Sequence, residues 1–325
     1  MSKEVDRRSF LRLGGAAMGL GALYAVGPKL LSAEARDLSA FLGESNGETI
    51  KPFTFVQMSD THVGFQGPPN PLGTAAFEAA VARVNSMTVK PDLVLFTGDL
   101  VHDTEKPAEV QSRIAKFREI AGKLQGPKLY FVPGEHDAGL DGGAIFREAF
   151  GPTHYSFDHK GVHFVALDNV SQARPEVGAE QVAWLKKDVA RFSKTTPIIV
   201  FTHRPLFDLK PEWEWFTSDG DDVMNALSEY SNVTVLYGHI HREHEQTSGH
   251  ARHLAARSLA FAFPDPMSAD KKPLPFDKDH PFKNLGIREL AEGRSGLLKP
   301  NEVELAMSEY SEINGRQQLL RAVTL

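Results

Sequence analysis

Apolar positions along the chain fall into short runs separated by polar breaks, with two alternating periods. Phe53 to Ser59 (F-T-F-V-Q-M-S), Leu93 to Thr97 (L-V-L-F-T) and Lys128 to Val132 (K-L-Y-F-V) are short, β-branched or aromatic, and predict buried strands. Between them the period changes to that of a helix. Phe77, Ala80, Val81 and Val84 share one face of Thr74 to Ser86, and Val110, Ile114, Phe117 and Leu124 follow a start at Pro107. Strand–helix–strand–helix–strand predicts a parallel sheet with right-handed crossovers. Tyr155 to Asp158 and Val162 to Asp168 flank Lys160-Gly161 and predict a hairpin. Val182, Leu185, Val189 and Phe192 mark a further helix, and Pro197 to Thr202 and Val233 to Tyr237 two further buried strands. Phe261 to His280, rich in Pro, Asp and Lys, predicts an extended surface segment that wraps the fold or shapes its cleft. Val303 to Met307 and Gln318 to Thr324 predict closing strands. No internal repeat, low-complexity tract or strong linker divides the chain.

The N-terminus has a different logic. Asp6-Arg7-Arg8-Ser9-Phe10-Leu11-Arg12 precedes a Gly- and Ala-rich apolar run from Leu13 to Val26, then Pro28, Lys29 and the small-residue pattern Ala33-Glu34-Ala35. This order of charged region, apolar region and A-x-A site predicts an export signal, and the paired arginines resemble a twin-arginine signal. The expectation is a signal over residues 1–35 recognised by the twin-arginine export machinery. A single domain would follow over residues 36–325, with an extended C-terminal segment from about residue 260. The mature protein would be periplasmic or extracellular, or membrane-anchored if the signal stays uncleaved. The glycines make the run a poor permanent membrane helix.

Composition narrows the chemistry. The 325 residues are 41% hydrophobic and 24% charged, which excludes a disordered or multi-span chain. The net charge of −6 argues against a nucleic-acid-binding surface. There is no cysteine, so disulfides, thiolate catalysis and sulfur-ligated metals are excluded, and any nitrogen ligands must come from the 13 histidines.

Chemistry gathers where the strands end. Asp60-Thr61-His62 follows the first, Gly98-Asp99 the second, and Gly134-Glu135-His136-Asp137 the third. His203 follows Pro197 to Thr202, and Gly238-His239-Ile240-His241 follows Val233 to Tyr237. Open α/β sheets bind ligands beyond the carboxyl ends of their strands, so five strands deliver Asp, Glu and His to one edge. Carboxylate and imidazole suit Zn, Mn and Fe. In D-x-H and H-x-H an extended backbone would point both ligands the same way. The set suffices for two metals sharing one carboxylate, an arrangement able to clamp a phosphoryl group.

The ordered motifs D-x-H, G-D, G-N-H-D/E, a lone His and G-H-x-H resemble those of the calcineurin-like metallophosphoesterases, over about Phe53 to His241. The resemblance implies an α/β, four-layer αββα sandwich with two mixed sheets and a dinuclear centre at the strand ends. It implies that Asp60, His62 and His241 hold the first metal, Asp99 bridges, and His203 and His239 hold the second. His136 would stabilise the phosphate or protonate the leaving oxygen, and a metal-bridging hydroxide would attack phosphorus in line. The chain departs from the family at Glu135, where Asn is usual. A Glu ligand there adds a third carboxylate and should tighten metal binding while weakening the Lewis acid. His102, three residues after Asp99, sits where the related purple acid phosphatases have a ligand tyrosine. It would ligate the first metal, touch substrate, or hold Asp103. Arg204 would bind a phosphate oxygen or lie on the surface. Trp213, Trp215 and Phe216 would form a substrate lid or a loop anchor. His244, His250 and His253 read as surface or hairpin residues. The resulting expectation is an exported enzyme with two divalent or mixed-valence ions (Mn, Fe or Zn) that hydrolyses a phosphodiester or nucleotide-like phosphoester. The alternatives are a phosphomonoesterase and a non-hydrolytic metal-binding scaffold.

Overall fold

A computed structural model describes residues 50–292 and 298–308. The proposed signal and the closing strand at Gln318 to Thr324 lie outside the described residues. Among the described residues no helix is long and apolar enough to cross a membrane.

The three predicted strands form as β1 (Phe53–Met58), β2 (Leu93–Thr97) and β3 (Lys128–Val132), joined by α1 (Ala75–Ser86) and α2 (Pro107–Ala121). Pro107 opens α2, where its missing N–H costs nothing. Two short helices, α3 (Glu135–Ala138) and α4 (Ala144–Phe150), lead to the hairpin β4 (Tyr155–His159) and β5 (Val162–Ala166). Lys160 and Gly161 both take positive φ, 50° and 86°, as a two-residue hairpin turn demands. The chain continues through α5 (Ala179–Val189), β6 (Ile198–Phe201), α6 (Gly220–Ala226), β7 (Val233–Tyr237), β8 (His244–Ser248), β9 (Ala251–Ala255), β10 (Gly286–Glu292) and β11 (Leu298–Glu304).

Two sheets result, ordered β11-β10-β1-β2-β3 and β4-β5-β6-β7-β9-β8. Both are mixed. β1, β2 and β3 run parallel, β10 runs antiparallel to β1 and β11 antiparallel to β10, while β5, β6, β7 and β9 run parallel with β4 and β8 antiparallel at the edges. Three apolar interfaces separate four layers. Val56, Phe96, Phe77 and Phe117 fill the first, between α1, α2 and one sheet face. Phe55, Leu95, Phe164, Phe201 and Leu236 fill the second, between the two sheets. Val165, Val200, Leu185 and Val223 fill the third, under α5 and α6. β1, β2, β5 and β6 are therefore apolar on both faces, which explains their continuous apolar runs.

The last quarter departs from expectation. No regular element occupies residues 256–285, but the chain then re-enters the first sheet as β10 and β11, displacing the expected strand at Val303 to Met307. The signal in β10 was masked by charge. Arg288 is buried and pairs with Glu302 on β11, and Glu289 pairs with Arg83 on α1. Phe261 is buried rather than on the surface.

His253, expected at the surface or in a hairpin, lies in the antiparallel β8–β9 hairpin but is buried there against Phe207, and neither ring nitrogen has a hydrogen-bond partner. Burial, with His244 nearby, lowers its pKa from 6.5 to about 4. The unfolded chain then binds a proton that the folded chain refuses, so stability is full above about pH 6.5 and falls as pH drops toward 4. The expected loss across that window is about 3 kcal/mol. Urea unfolding at pH 7 and pH 4.5 should show a shallower acid loss for His253→Phe than for the unaltered protein.

Candidate metal centre

The polar residues past β1, β2, β3, β6 and β7 do converge, but the backbone brings them together differently from expectation. Asp60, His62, Asp99, His239 and His241 have φ of 53°, 41°, 51°, 65° and 51°. D-x-H and H-x-H therefore converge through left-handed kinks, and the period of an extended strand plays no part. The kinks interrupt β1 and β2 only briefly. Val63 pairs again with Val101 in parallel, which sets His62 beside His102. Close approach needs glycine twice: a Cβ on Gly98 would stand 2.3 Å from His203 Nδ1, and one on Gly238 would stand 1.9 Å from Ser59 Oγ.

Ligand-capable atoms form four overlapping groups among the described residues. Asp60, His62, Asp99 and His241 make the first and Glu135, His203 and His239 the second; Asp99, Glu135 and His136, and His62, His102 and His136, make two more at their edge. Asp99 lies between the first two, with Oδ2 3.3 Å from His62 Nε2 and 3.5 Å from His203 Nε2. The first two groups each draw on both sheets.

The histidine tautomers follow from their outer hydrogen bonds. His203 Nδ1–H donates to the Thr97 carbonyl at 2.7 Å, His241 Nδ1–H to the Phe261 carbonyl at 2.7 Å, and His239 Nε2–H to the Glu214 carbonyl at 3.0 Å. The other nitrogen of each ring then presents a lone pair inward. His203 Nε2 faces Glu135 Oε2 at 2.9 Å, His239 Nδ1 faces Glu135 Oε1 at 2.8 Å, and His241 Nε2 faces Asp60 Oδ1 at 3.3 Å and His62 Nε2 at 3.0 Å. Acceptors facing acceptors inside a protein repel unless a cation stands between them. His203 Nε2 and Glu135 Oε2 are buried without a hydrogen-bond partner. The donor set fits two metal ions of the Mn, Fe and Zn kind.

Electrostatics agree in direction. Burial disfavours the Asp60 carboxylate, yet His241 and His203 hold its pKa below the usual range. Burial likewise opposes ionisation of Glu135, but His239 and His203 hold it well below its ordinary value. Burial and the neighbouring His241 keep His62 well below 6.5, and burial lowers His239. His203 goes the other way: Asp99 and Glu135 overcome burial and raise it well above 6.5. A metal ion competes for that nitrogen with the proton the carboxylates attract.

His136 stands at the edge of the first two groups. Its backbone N–H donates to Asp99 Oδ1 at 3.0 Å, its Nδ1 contacts Asp103 Oδ1 closely, and its ring stacks on His102. Burial opposes its charge, but Asp99, Glu135 and Asp103 push its pKa up to about 9. Asp103 thus belongs to His136; His102 Nδ1 is 4.0 Å from it. Nor does His102 join the Asp60 group. Its Nδ1 lies 3.3 Å from His62 Nδ1, on the side of the His62 ring away from that group. His102 groups instead with His62 and His136, away from the Asp60 carboxylate.

Arg204 is buried rather than on the surface. Its Nη1 donates to the Glu214 carbonyl, and its Nε lies 3.7 Å from Glu135 Oε2. The extra carboxylate therefore has its own cation beside it. Trp213 and Trp215 pack edge to face in a small core with Tyr237 and Ile240, so they anchor the loop and form no lid. Glu214 between them takes φ 60°, and its carbonyl serves both His239 and Arg204. Sequence reasoning missed Glu214 because it contributes only backbone. It also missed the buried bridge beneath the site, where Gln57 Nε2 donates to Thr97 Oγ1 and to the Tyr237 carbonyl, and Thr97 Oγ1 donates to Ser59 Oγ. Asp137 accepts from the backbone N–H of Leu100, Val101 and Gly134 and ties the second strand end to the third.

Similar proteins share this frame. A 3',5'-cyclic-nucleotide phosphodiesterase of Nostoc is 23% identical over 221 residues, 65% of this chain and 80% of its own. The serine/threonine-protein phosphatase CPPED1 of Mus musculus is 27% identical over 237 residues, covering 65% and 76%. A dimetal phosphatase structure from Danio rerio superposes with a TM-score of 0.53 at 14% identity, over 80% of this chain and all of that one, and so shares the fold. The profile of the calcineurin-like phosphoesterases matches residues 53–243, more than half of the sequence and every strand end of the site, and the chain belongs to that family.

Proposed function

We propose that the protein is a metal-dependent phosphoester hydrolase acting on a phosphodiester or nucleotide-like ester. The observation that carries this reading is the pair of ligand groups sharing Asp99, with inward lone pairs held by outer hydrogen bonds. Relatives named as a cyclic-nucleotide phosphodiesterase and a protein phosphatase support it. In this reading Asp60, His62 and His241 hold one ion, Glu135, His203 and His239 the other, and Asp99 both. Two bound ions supply Lewis acidity to the phosphate and to water. The chain's own residues do the rest. Backbone carbonyls of Thr97, Phe261 and Glu214 orient the ligand rings. Asp103 holds His136 Nδ1, so that the imidazole can hold a proton beside the phosphate. Mn, Fe and Zn all suit these donors.

Arg204 bears on the Glu135 departure. A lone extra carboxylate would dull the centre, but a buried guanidinium 3.7 Å away offsets it. We also infer export by the twin-arginine route, on the order of Arg7-Arg8, the apolar run and Ala33-Glu34-Ala35.

Full-length protein assayed for metal content and for hydrolysis of bis-p-nitrophenyl phosphate and p-nitrophenyl phosphate should hold two ions and turn over the diester faster. Asp99→Asn should lower turnover by at least about a hundredfold. Glu135→Asn should leave Arg204 as an uncompensated buried cation and weaken binding of one ion by about 10–100-fold, and adding Arg204→Met should recover part of the loss. Calorimetric metal titration reads this, and equal affinity in Glu135→Asn and the unaltered protein sinks the compensation. Replacing Arg7 and Arg8 by Lys should abolish export in a fractionation assay.

A further inference from the structure

Beside the metal centre, on the His136 side, lies a cavity of about 330 Å³. That volume falls in the range of small-molecule sites. Its wall is apolar, built by Val110 and Ile114 of α2 and by Ile145, Phe146 and Phe150 of α4. Polar lining comes from His102, Asp103, Thr104, His136 and Asp137, among others. His136 belongs to both places: its ring nitrogen lies within 4.8 Å of ligand atoms of Asp99 and Glu135, and the same side chain lines the cavity. A phosphate held at the two ligand groups would therefore lie beside this opening.

Two further observations bear on what enters. Leu140 lines the cavity and is 64% exposed, more than any other large apolar side chain among the described residues except Met267. An apolar side chain held in water at the lip of an apolar cavity gains by covering an apolar ligand. The charged groups that line it are mostly acidic: Asp103, Glu105, Asp137 and Asp141 stand against the imidazole of His136, which Asp103 already engages, and no Lys or Arg lines it. A second phosphate or a carboxylate would be repelled there, whereas an uncharged group would not.

We propose that this cavity receives one ester substituent of the substrate, an uncharged aryl or alkyl group, and so selects phosphoesters of apolar alcohols. The proposal rests on the hydrolase reading for its substrate, but it can be tested without turnover. The probes are phenylphosphonate, methylphosphonate and carboxymethylphosphonate, titrated by calorimetry into the metal-loaded full chain. Phenylphosphonate should bind at least about tenfold more tightly than methylphosphonate, since an aryl ring buries its apolar surface, and carboxymethylphosphonate should bind no better than methylphosphonate. In Ile145→Trp, which fills the cavity, the phenyl preference should collapse. Thermal melting checks that this variant folds; should it fail, Leu140→Asp at the lip should reduce the same preference.

The matching kinetic arm compares kcat/KM for benzyl methyl phosphate and dimethyl phosphate, whose leaving alcohols are of similar acidity. Phenyl preference in binding with no turnover of any ester overturns the hydrolase reading and leaves the cavity assignment standing. Turnover without phenyl preference in binding or kinetics overturns the cavity assignment and leaves the hydrolase standing. A phenyl preference unchanged in both Ile145→Trp and Leu140→Asp places the apolar contact elsewhere and also overturns it.

Discussion

Left-handed backbone at five ligand-bearing positions is the constraint on which this molecule turns. Asp60, His62, Asp99, His239 and His241 have no glycine's freedom, yet all have positive φ. Such residues cost on the order of 1–3 kcal/mol each. Five together reach the order of a whole domain's net stability. The surroundings must over-determine them, and they do. The Asp60 and His62 backbone N–H groups donate to the Gly98 and Asp99 carbonyls, the Asp60 carboxylate takes the His239 N–H, and Ser258 Oγ–H donates to the Asp60 carbonyl. The four layers serve as the clamp that holds these kinks, and the inward-facing ligands are what the clamp secures.

The charge balance is local. Three carboxylates enter the centre, and Arg204 stands against the third. The tryptophan loop holds that arrangement in place, because one backbone carbonyl at Glu214 orients both His239 and Arg204. Aromatic packing in a loop thus sets the tautomer of one ligand and the position of one counter-charge.

Much of this was legible in the sequence because it is periodic or local. The central strands run apolar on both faces, so their pattern is continuous and their ends are sharp, and the residues past those ends stand out. β10 was not legible, since Arg288, Glu289 and Glu292 break its apolar pattern and their partners are distant in sequence. β8 and β9 were missed for a related reason: β8 is polar throughout, and β9 buries a histidine. The identity of the convergent residues was readable, but the backbone that brings them together was not. An extended D-x-H and a kinked one have the same letters. His102 shows the same limit: its spacing from Asp99 hinted at a ligand, while the resumed pairing of Val63 with Val101 turns it toward the outer face of His62. Glu214 and Thr97 act through carbonyl oxygens, which no residue type announces.

The Asp60 and Glu135 ligand groups each straddle the two sheets, and their members stand as far apart in the chain as Asp60 and His241. The ligand sets are complete only once each sheet has formed and the two have docked, and closure on that scale is entropically costly. Ions bound there would have little hold on the transition state and full hold on the finished structure. Their contribution would then fall on the unfolding rate rather than the folding rate. Metal loading would make this protein long-lived more than quick to fold, with the seam between the sheets as the place where opening begins once the ions leave.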